Sequence, residues 1–347
     1  MKPAPFDYHV PASAKEAVEL LAELGDSAKV IAGGQSLIPL LALRLAVFDH
    51  LIDIRDVPGV RGISGRGATV WVGAGTTQAA IGRSGLIAAK VPLLARATPL
   101  IGHFQIRNRG TIGGSLAHAE AAAEYPAVAL TLDAVIETTS PRGERAIPAS
   151  EFFTGIWTTA LEPDELLTGV MFTALPPLAA GRSGPRSSPS SRGRNRSAPE
   201  SEDRGAPLGS RVPGGRAGFA IEEFSRRPGD FAVAGAAIAI ELDAGNGPDP
   251  RDARVSRCAI GLFGLGPTPL RAAAAEASIV GSMASDLTAD ARAREIGRAA
   301  MADLDSVPSD LHGPAAYRKR VGAALVATAW QRAIREALGE EPEAGSG

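Results

Sequence analysis

The chain holds a single cysteine, Cys258, in 347 residues. A lone thiol excludes an intramolecular disulfide, and it excludes any iron–sulfur or zinc centre built on several cysteines of this chain. It is compatible with a reducing compartment. A dominant charge is missing too: 36 Lys and Arg stand against 38 Asp and Glu, a formal net charge of −2. No global field therefore favours nucleic acid or an anionic membrane. The opening "MKPAPFDYHVPASAKEAVELL" lacks the apolar core and small-residue cleavage pattern of a secretory signal. Apolar runs such as "VAGAAIAI" (233–240) are too short to span a bilayer. The expectation is a soluble, cytoplasmic protein with no transmembrane segment and no nucleic-acid partner.

Several catalytic signatures are absent as well. No G-x-G-x-x-G opens a helix after a strand, which removes the nicotinamide type of Rossmann fingerprint, and no G-x-x-x-x-G-K-[ST] marks a nucleotide triphosphatase. Ser36 and Ser115 lack the G-x-S-x-G elbow of a serine hydrolase. The five histidines, His9, His50, His103, His118 and His312, form no metal-ligand spacing.

What is present is a chain 45% hydrophobic, long enough for a sizeable core and for two or three domains. Ser13 and Glu16 form a capping signature, and Val18, Leu21 and Leu24 follow at helical spacing, predicting a helix over 14–24 closed by Gly25. "KVIA" (29–32) and "HLIDI" (50–54) read as strands, so residues 1–56 form a small α/β unit. A second unit, 57–177, carries strand patterns at "TVWVGAG" (69–75), "VIETT" (135–139) and "ELLTGVMF" (165–172), with a helix over "YPAVALTLDA". Residues 178–216 contain almost nothing that packs and hold eight arginines against three acids. That composition predicts a disordered surface insert, with a basic docking segment as the second reading. Residues 217–340 read as an α+β domain. Two apolar strands flank a Pro-Gly-Asp turn within 218–243, a third follows at 255–266, and a helix-rich tail runs over 286–338.

Two Gly-Gly stretches carry the chemical signal: Ala32-Gly33-Gly34-Gln35-Ser36 after a strand, and Thr111-Ile112-Gly113-Gly114-Ser115. Glycine permits positive φ and lets backbone N–H groups approach a ligand. Successive bare N–H groups make an anion-binding concavity, to which the Ser36, Thr111 and Ser115 hydroxyls add donors. Two such loops facing each other clamp a diphosphate from both sides. His103 and His118 flank the second stretch; a structural or solvent-facing role suits His103 better. Glu120 and Glu124 lie one turn apart if that segment is helical, and one turned into the cleft accepts hydrogen bonds from a polar ligand.

At these residues the chain resembles a known family. "KVIAGGQSLIPLLALRLAVFDHLIDI", "IGHFQIRNRGTIGGSLAHAEAAAEYPA" and "GFAIEEFSRRPGDFAVAGAAIAI" are similar to the FAD-binding medium subunit of the molybdenum hydroxylases, the aerobic carbon monoxide dehydrogenase type above the xanthine dehydrogenase type. The resemblance covers nearly the whole chain except 178–216. It implies an α+β fold of the vanillyl-alcohol-oxidase (PCMH) type, with two α/β subdomains holding an extended FAD and a smaller C-terminal domain behind them. By that likeness Ala32, Gly33, Gly34, Gln35 and Ser36, with Thr111, Ile112, Gly113, Gly114 and Ser115, hold the pyrophosphate. Ile101 lies near the adenine, and Leu167 and Glu222 border the flavin ring; apart from the likeness, the position of His118 beside the second stretch puts it within reach of a ligand there. Glu124 stands where relatives usually have a cofactor-contacting aspartate. The likeness further implies a large molybdopterin-binding subunit, a small iron–sulfur subunit, assembly as a dimer of heterotrimers, and electron flow through FAD to an external acceptor. A self-contained flavin oxidase and a non-catalytic nucleotide-binding assembly module are the rival readings. The sequence departs from the family pattern at Gln35, often histidine in relatives, at "AEAAAEYP" where "ADPAADLP" is commoner, and at the arginine-rich insert.

Overall fold

A computed structural model describes residues 2–175, 216–245 and 249–340. Almost all of the arginine-rich insert expected over 178–216 lies outside the described residues. Only Arg216 falls within them, as the first residue of a strand.

The N-terminal sheet has three parallel strands, β1 (Asp7–His9), β2 (Ala28–Ile31) and β3 (His50–Asp53), with β3 in the centre. The helix Ala14–Leu24 forms as its capping signature dictates: the Ser13 hydroxyl accepts from the Glu16 N–H, and Gly25 ends the helix. Its apolar stripe of Ala17, Val18 and Leu21 packs on Ile52 and Ile54.

The second sheet is antiparallel. It contains β4 (Ile63–Arg66), β5 (Thr69–Gly73), β6 (Val135–Ser140) and β7 (Gly143–Pro148). Beyond a short hairpin of β8 (Phe153–Gly155) and β9 (Thr158–Thr159), β10 (Leu166–Thr173) returns to the sheet centre, giving the order β4-β5-β10-β6-β7. The sequence reading located β5, β6 and β10. It missed β4 and β7, whose exposed, polar or glycine-bearing stretches "ISGR" and "GERAIP" carry little apolar alternation.

The third sheet orders β11 (Arg216–Phe224), β12 (Ala234–Leu242), β13 (Val255–Phe263) and β14 (Leu270–Arg271). Every residue of β12 is buried because both faces are covered. On one face Ile238 and Ile240 pack with Trp330 and Ile334 of the long helix Ala315–Leu338. On the other, Ala237 and Ala239, with Phe219 and Ala259, join the core of the second sheet. Close approach of the long helix to β11 requires Gly218, where a Cβ would lie 1.8 Å from the Ala333 carbonyl oxygen. Arg96 and Glu336 reinforce this contact with two hydrogen bonds of 2.6 Å, and Glu336 also accepts from the Phe219 N–H at 2.9 Å.

Candidate functional site

The groove forms where the two glycine stretches meet. After β2 the chain turns through Gly33 and Gly34, the latter at φ +70°, a conformation glycine adopts without strain. The backbone at Gly33 lies directly on the second stretch: a Cβ there would sit 2.2 Å from the Arg109 carbonyl oxygen and 2.8 Å from the Gly110 Cα. Across the same junction a Cβ on Gly114 would lie 3.7 Å from the Ala32 Cβ. The expectation that the two stretches face each other agrees with this geometry.

Their internal geometry differs from that expectation in one respect. Thr111–Ser115 is not a second bare loop but the start of the helix Ile112–His118. Thr111 caps it, its hydroxyl accepting from the Gly114 N–H at 3.0 Å. The Ile112, Gly113 and Ser115 N–H groups donate to the carbonyls of Thr76 at 3.1 Å, Ala74 at 2.8 Å and Thr111 at 3.1 Å. Free backbone donors therefore come from the first stretch, where the N–H groups of Gly33, Gly34, Gln35 and Ser36 donate to no described residue. The Gln35 side chain folds back, its Nε2 donating to the Gly33 carbonyl at 3.1 Å. Gly113 serves packing, since a Cβ there would meet the Ala74 Cβ at 2.5 Å.

An open pocket of about 390 Å³ lies against the first stretch, with Tyr8, Gly33, Gly34, Gln35, Arg55 and Arg109 among its walls. Arg55 is already neutralised. It donates from Nη2 to Asp53 Oδ2 at 2.6 Å, while the Tyr8 hydroxyl donates to the same oxygen. Burial alone would raise the Asp53 pKa, but these bonds from Arg55 and Tyr8 more than offset it and hold the carboxyl below its usual range. Arg109 makes no side-chain hydrogen bond to a described residue, so it is the cation available to an anion at the bare amides. Sequence reading missed Tyr8, Arg55 and Arg109. Arg109 stood inside the quoted motif, whereas Tyr8 and Arg55 reach the pocket only through the parallel pairing of β1 with β3.

The other expected residues spread along the structure. Ile101 is half-buried after a short 3-10 turn, and its carbonyl accepts from Arg107 Nη1 at 2.8 Å. His103 is exposed, as expected, and lies beside Gly229. His118 ends the helix that Thr111 caps, and its ring stacks near that of Trp157, with centroids 6.5 Å apart and planes 12° from parallel. Burial lowers its pKa, partly opposed by the charge of Glu120. Glu120 and Glu124 do not share a helix turn: Ala119 adopts φ 52°, and the next helix begins only at Glu124. Glu120 instead accepts from the Trp157 indole N–H at 2.7 Å, whereas Glu124 is buried. Leu167 lies in the second-sheet core, beside a register shift in β10. Glu222 points away from this core and pairs with Arg332 of the long helix. Strand alternation gives the opposite face to Phe219, Ile221 and Glu223, and Phe219 and Ile221 pack in the core that the second and third sheets share. The acidic residue of β11 on the side of the second sheet is thus Glu223.

Amides that donate to no described residue on a left-handed glycine turn, with an arginine beside them whose side chain has no partner among the described residues, fit a dinucleotide with a doubly charged centre. Comparison with known families agrees. Residues 4–174 match the FAD binding domain in molybdopterin dehydrogenase, and residues 219–333 match the CO dehydrogenase flavoprotein C-terminal domain. The chain belongs to this family of FAD-binding oxidoreductase subunits, the flavoprotein medium subunits of carbon monoxide dehydrogenase-like molybdenum hydroxylases. It is 38% identical to the 6-hydroxypseudooxynicotine dehydrogenase complex subunit alpha of Paenarthrobacter nicotinovorans over 339 residues, 97% of each chain. It is 34% identical to the carbon monoxide dehydrogenase medium chain of Afipia carboxidovorans, covering 96% of this chain and 98% of that one. Among solved structures, carbon monoxide dehydrogenase from Hydrogenophaga pseudoflava superposes with a TM-score of 0.79 at 33% identity, covering 97% of this chain and 99% of that one.

Proposed function

We propose that this chain is the electron-transfer flavoprotein of a molybdenum hydroxylase complex, accepting electrons from iron–sulfur clusters in a small subunit and delivering them to an external acceptor. A large molybdopterin-binding subunit oxidises the substrate, and the complex assembles in the cytoplasm as a dimer of heterotrimers. The names of the relatives, a complex subunit and a medium chain, support a multi-subunit setting. With only Cys258, this polypeptide cannot supply the several thiolates that iron–sulfur clusters need, so those clusters belong to another subunit. No described helix is long and apolar enough to cross a membrane.

The observation that carries the reading is the packing of Gly33 against Arg109 and Gly110, which brings to one pocket wall amides and a guanidinium that have no partner among the described residues. In this arrangement the N–H groups of Gly33 to Ser36 and the Arg109 side chain hold the diphosphate. Ser115 contributes a hydroxyl, and the helix capped by Thr111 forms the opposing wall. FAD, when bound, supplies the redox chemistry, and the protein binds, orients and shields it. Ile101, half-buried, contributes apolar surface along the groove.

Purified full-length chain mixed with FAD should show a flavin spectrum that survives gel filtration. The bound flavin should bleach when a reduced iron–sulfur partner is added under anaerobic conditions. Failure to retain FAD would remove the reading. Retention without reduction by the partner would leave a nucleotide-binding assembly module, and oxygen-dependent turnover by the isolated chain would point to a self-contained oxidase.

A further inference from the structure

Three side chains at one end of the N-terminal sheet form a cluster that the diphosphate contacts proposed above leave unused. The strands of that sheet are parallel, and in such sheets ligands sit off the carboxyl ends of the strands. The first glycine stretch leaves that end from β2. Ile31, the last residue of β2, is in register with Asp53, the last of β3. Tyr8 of β1 is in register with Leu51, two residues before Asp53, so Tyr8 and Asp53 emerge on one face. Arg55 follows, and it and Tyr8 are walls of the pocket that the glycine turn borders.

Asp53 is 4% exposed, and both of its oxygens are taken. Oδ1 accepts from the Arg55 backbone N–H at 2.9 Å. Oδ2 accepts from Arg55 Nε at 2.9 Å and Nη2 at 2.6 Å, and from the Tyr8 hydroxyl. The Tyr8 oxygen accepts in turn from Arg55 Nη2 at 3.0 Å, and Arg61 Nη1 donates to the Arg55 carbonyl at 3.0 Å, fixing the main chain. These bonds fill the acceptor sites of the carboxylate. Asp53 is therefore closed to a sugar diol, the usual ligand of an acid beyond a strand end in dinucleotide sites. Arg55 is engaged on one edge only. Its Nε–Nη2 edge serves Asp53 and Tyr8, while Nη1 donates to no described residue. A guanidinium held along one edge by a buried carboxylate keeps N–H groups on the other in a fixed plane, and phosphate oxygens are suited to such donors.

We propose that Arg55 is a phosphate ligand through Nη1 and that Asp53 and Tyr8 are its positioning residues, so that one phosphate of a diphosphate lies on the first glycine stretch and Arg109 and the other on Arg55. This rests on the FAD-binding reading above and adds a rule of choice to it: the site prefers two linked phosphates to one. Arg55 belongs to the N-terminal unit, and Arg109 to the segment leading into the helix Ile112–His118 of the second. The ligand's two charges are then held by one arginine from each unit, across the seam at Gly33. A lysine at position 55 cannot do the same, because a single ammonium drawn onto Asp53 has no second planar edge.

The test is calorimetric titration of the full-length, flavin-free chain with FAD, ADP and AMP at one ionic strength. The wild type should bind ADP at least about tenfold more tightly than AMP, whose single phosphate leaves the Arg55 edge unfilled. Arg55→Lys keeps a cation opposite Asp53. It should weaken FAD and ADP by about tenfold and leave AMP within about threefold, so that the preference for ADP collapses. Tyr8→Phe removes one of the bonds that aim the fork and should give a smaller loss of the same kind, for ADP and not for AMP. Should Arg55→Lys lose its circular dichroism signal, Asp53→Asn combined with Arg55→Gln removes both charges together and should show the same collapse. A wild type that does not distinguish ADP from AMP, a preference for ADP that survives in the Arg55 variants, or equal weakening of ADP and AMP overturns the proposal and leaves the cofactor assignment standing. A wild-type chain that binds no FAD removes the cofactor assignment itself.

Discussion

Gly33 rests against the main chain of Arg109 so closely that an added methyl carbon would stand 2.2 Å from its carbonyl oxygen. This contact joins the N-terminal sheet to the strand-and-helix framework of the second, and the pocket opens beside it. Gly33→Ala should cost about 1–3 kcal/mol through forced separation of the two backbones. FAD affinity should fall by at least roughly tenfold. Gly85→Ala is the matched control, because nothing lies within 4 Å of the Cβ position there. Flavin absorbance after gel filtration and a thermal melt read both effects, and equal behaviour of the two variants would contradict the contact.

Trp157 holds φ 51° at the tip of the β8–β9 hairpin, a conformation that costs a side-chain-bearing residue of order 1 kcal/mol. Trp157→Ala and Trp157→Gly both delete the indole, its stacking near His118 and its bond to Glu120. They differ only in backbone freedom. The glycine variant should therefore be the more stable by about 1 kcal/mol in urea unfolding. An alanine variant of equal or greater stability would show that the hairpin tip is unstrained.

Glu124 and Glu223, both raised by burial, give the flavin-free chain a pH dependence of its own. Unfolded glutamates release their protons near the ordinary model value of 4.5, whereas Glu223 and Glu124 hold theirs to about 7 and about 8 in the folded chain. Between those limits the folded state binds more protons than the unfolded state, so stability falls as pH rises. The contribution is fully present below about pH 4.5 and is lost through the 7–8 range. Melting temperature should decline across that range in the wild type, and Glu124→Gln combined with Glu223→Gln should flatten the decline. A decline of the same slope in the double variant would assign it to other groups.

Arg318 is buried within the long C-terminal helix and gathers three partners. Its Nη1 donates to the Val233 and Gly264 carbonyls at 2.6 and 3.1 Å, and its Nη2 reaches Asp310 at 2.7 Å. Arg318→Ala strands two carbonyls and should cost about 3 kcal/mol or more. Asp310→Asn, at a partly exposed partner, should cost less than about 1 kcal/mol. Comparable losses for the two variants would place the stabilising contribution in the ion pair and not in the carbonyl bonds.

Much of the site was legible because its signals are local. The Ser13 capping signature predicts the first helix with the ends observed, Ala14 and Leu24. The two glycine pairs mark the stretches that form the groove. Other features depend on what the chain packs against. The Thr111 cap consumes amides that looked bare in sequence, because a helix begins there. Glu222 and Glu223 are adjacent carboxylates with no local feature to rank them; only the covering of β11 by the long helix on one face decides which one pairs with that helix and which faces the second sheet. Tyr8 and Arg55 are 47 positions apart and converge on one carboxylate through strand pairing. Such convergence leaves no trace in spacing.

The alternation along β12, small alanines toward one neighbour and isoleucines toward the other, has a consequence for how the molecule lives or dies. Because Phe219, Ala237, Ala239 and Ala259 are buried inside the preceding half's interior, the two matched family segments are not independent lodgers on one chain. Severing them would strip each half of a dry wall it relies on and leave greasy surfaces looking for one another. The described molecule should therefore melt as a single cooperative body, and a gene split between the segments should yield soluble protein only when both fragments are made together.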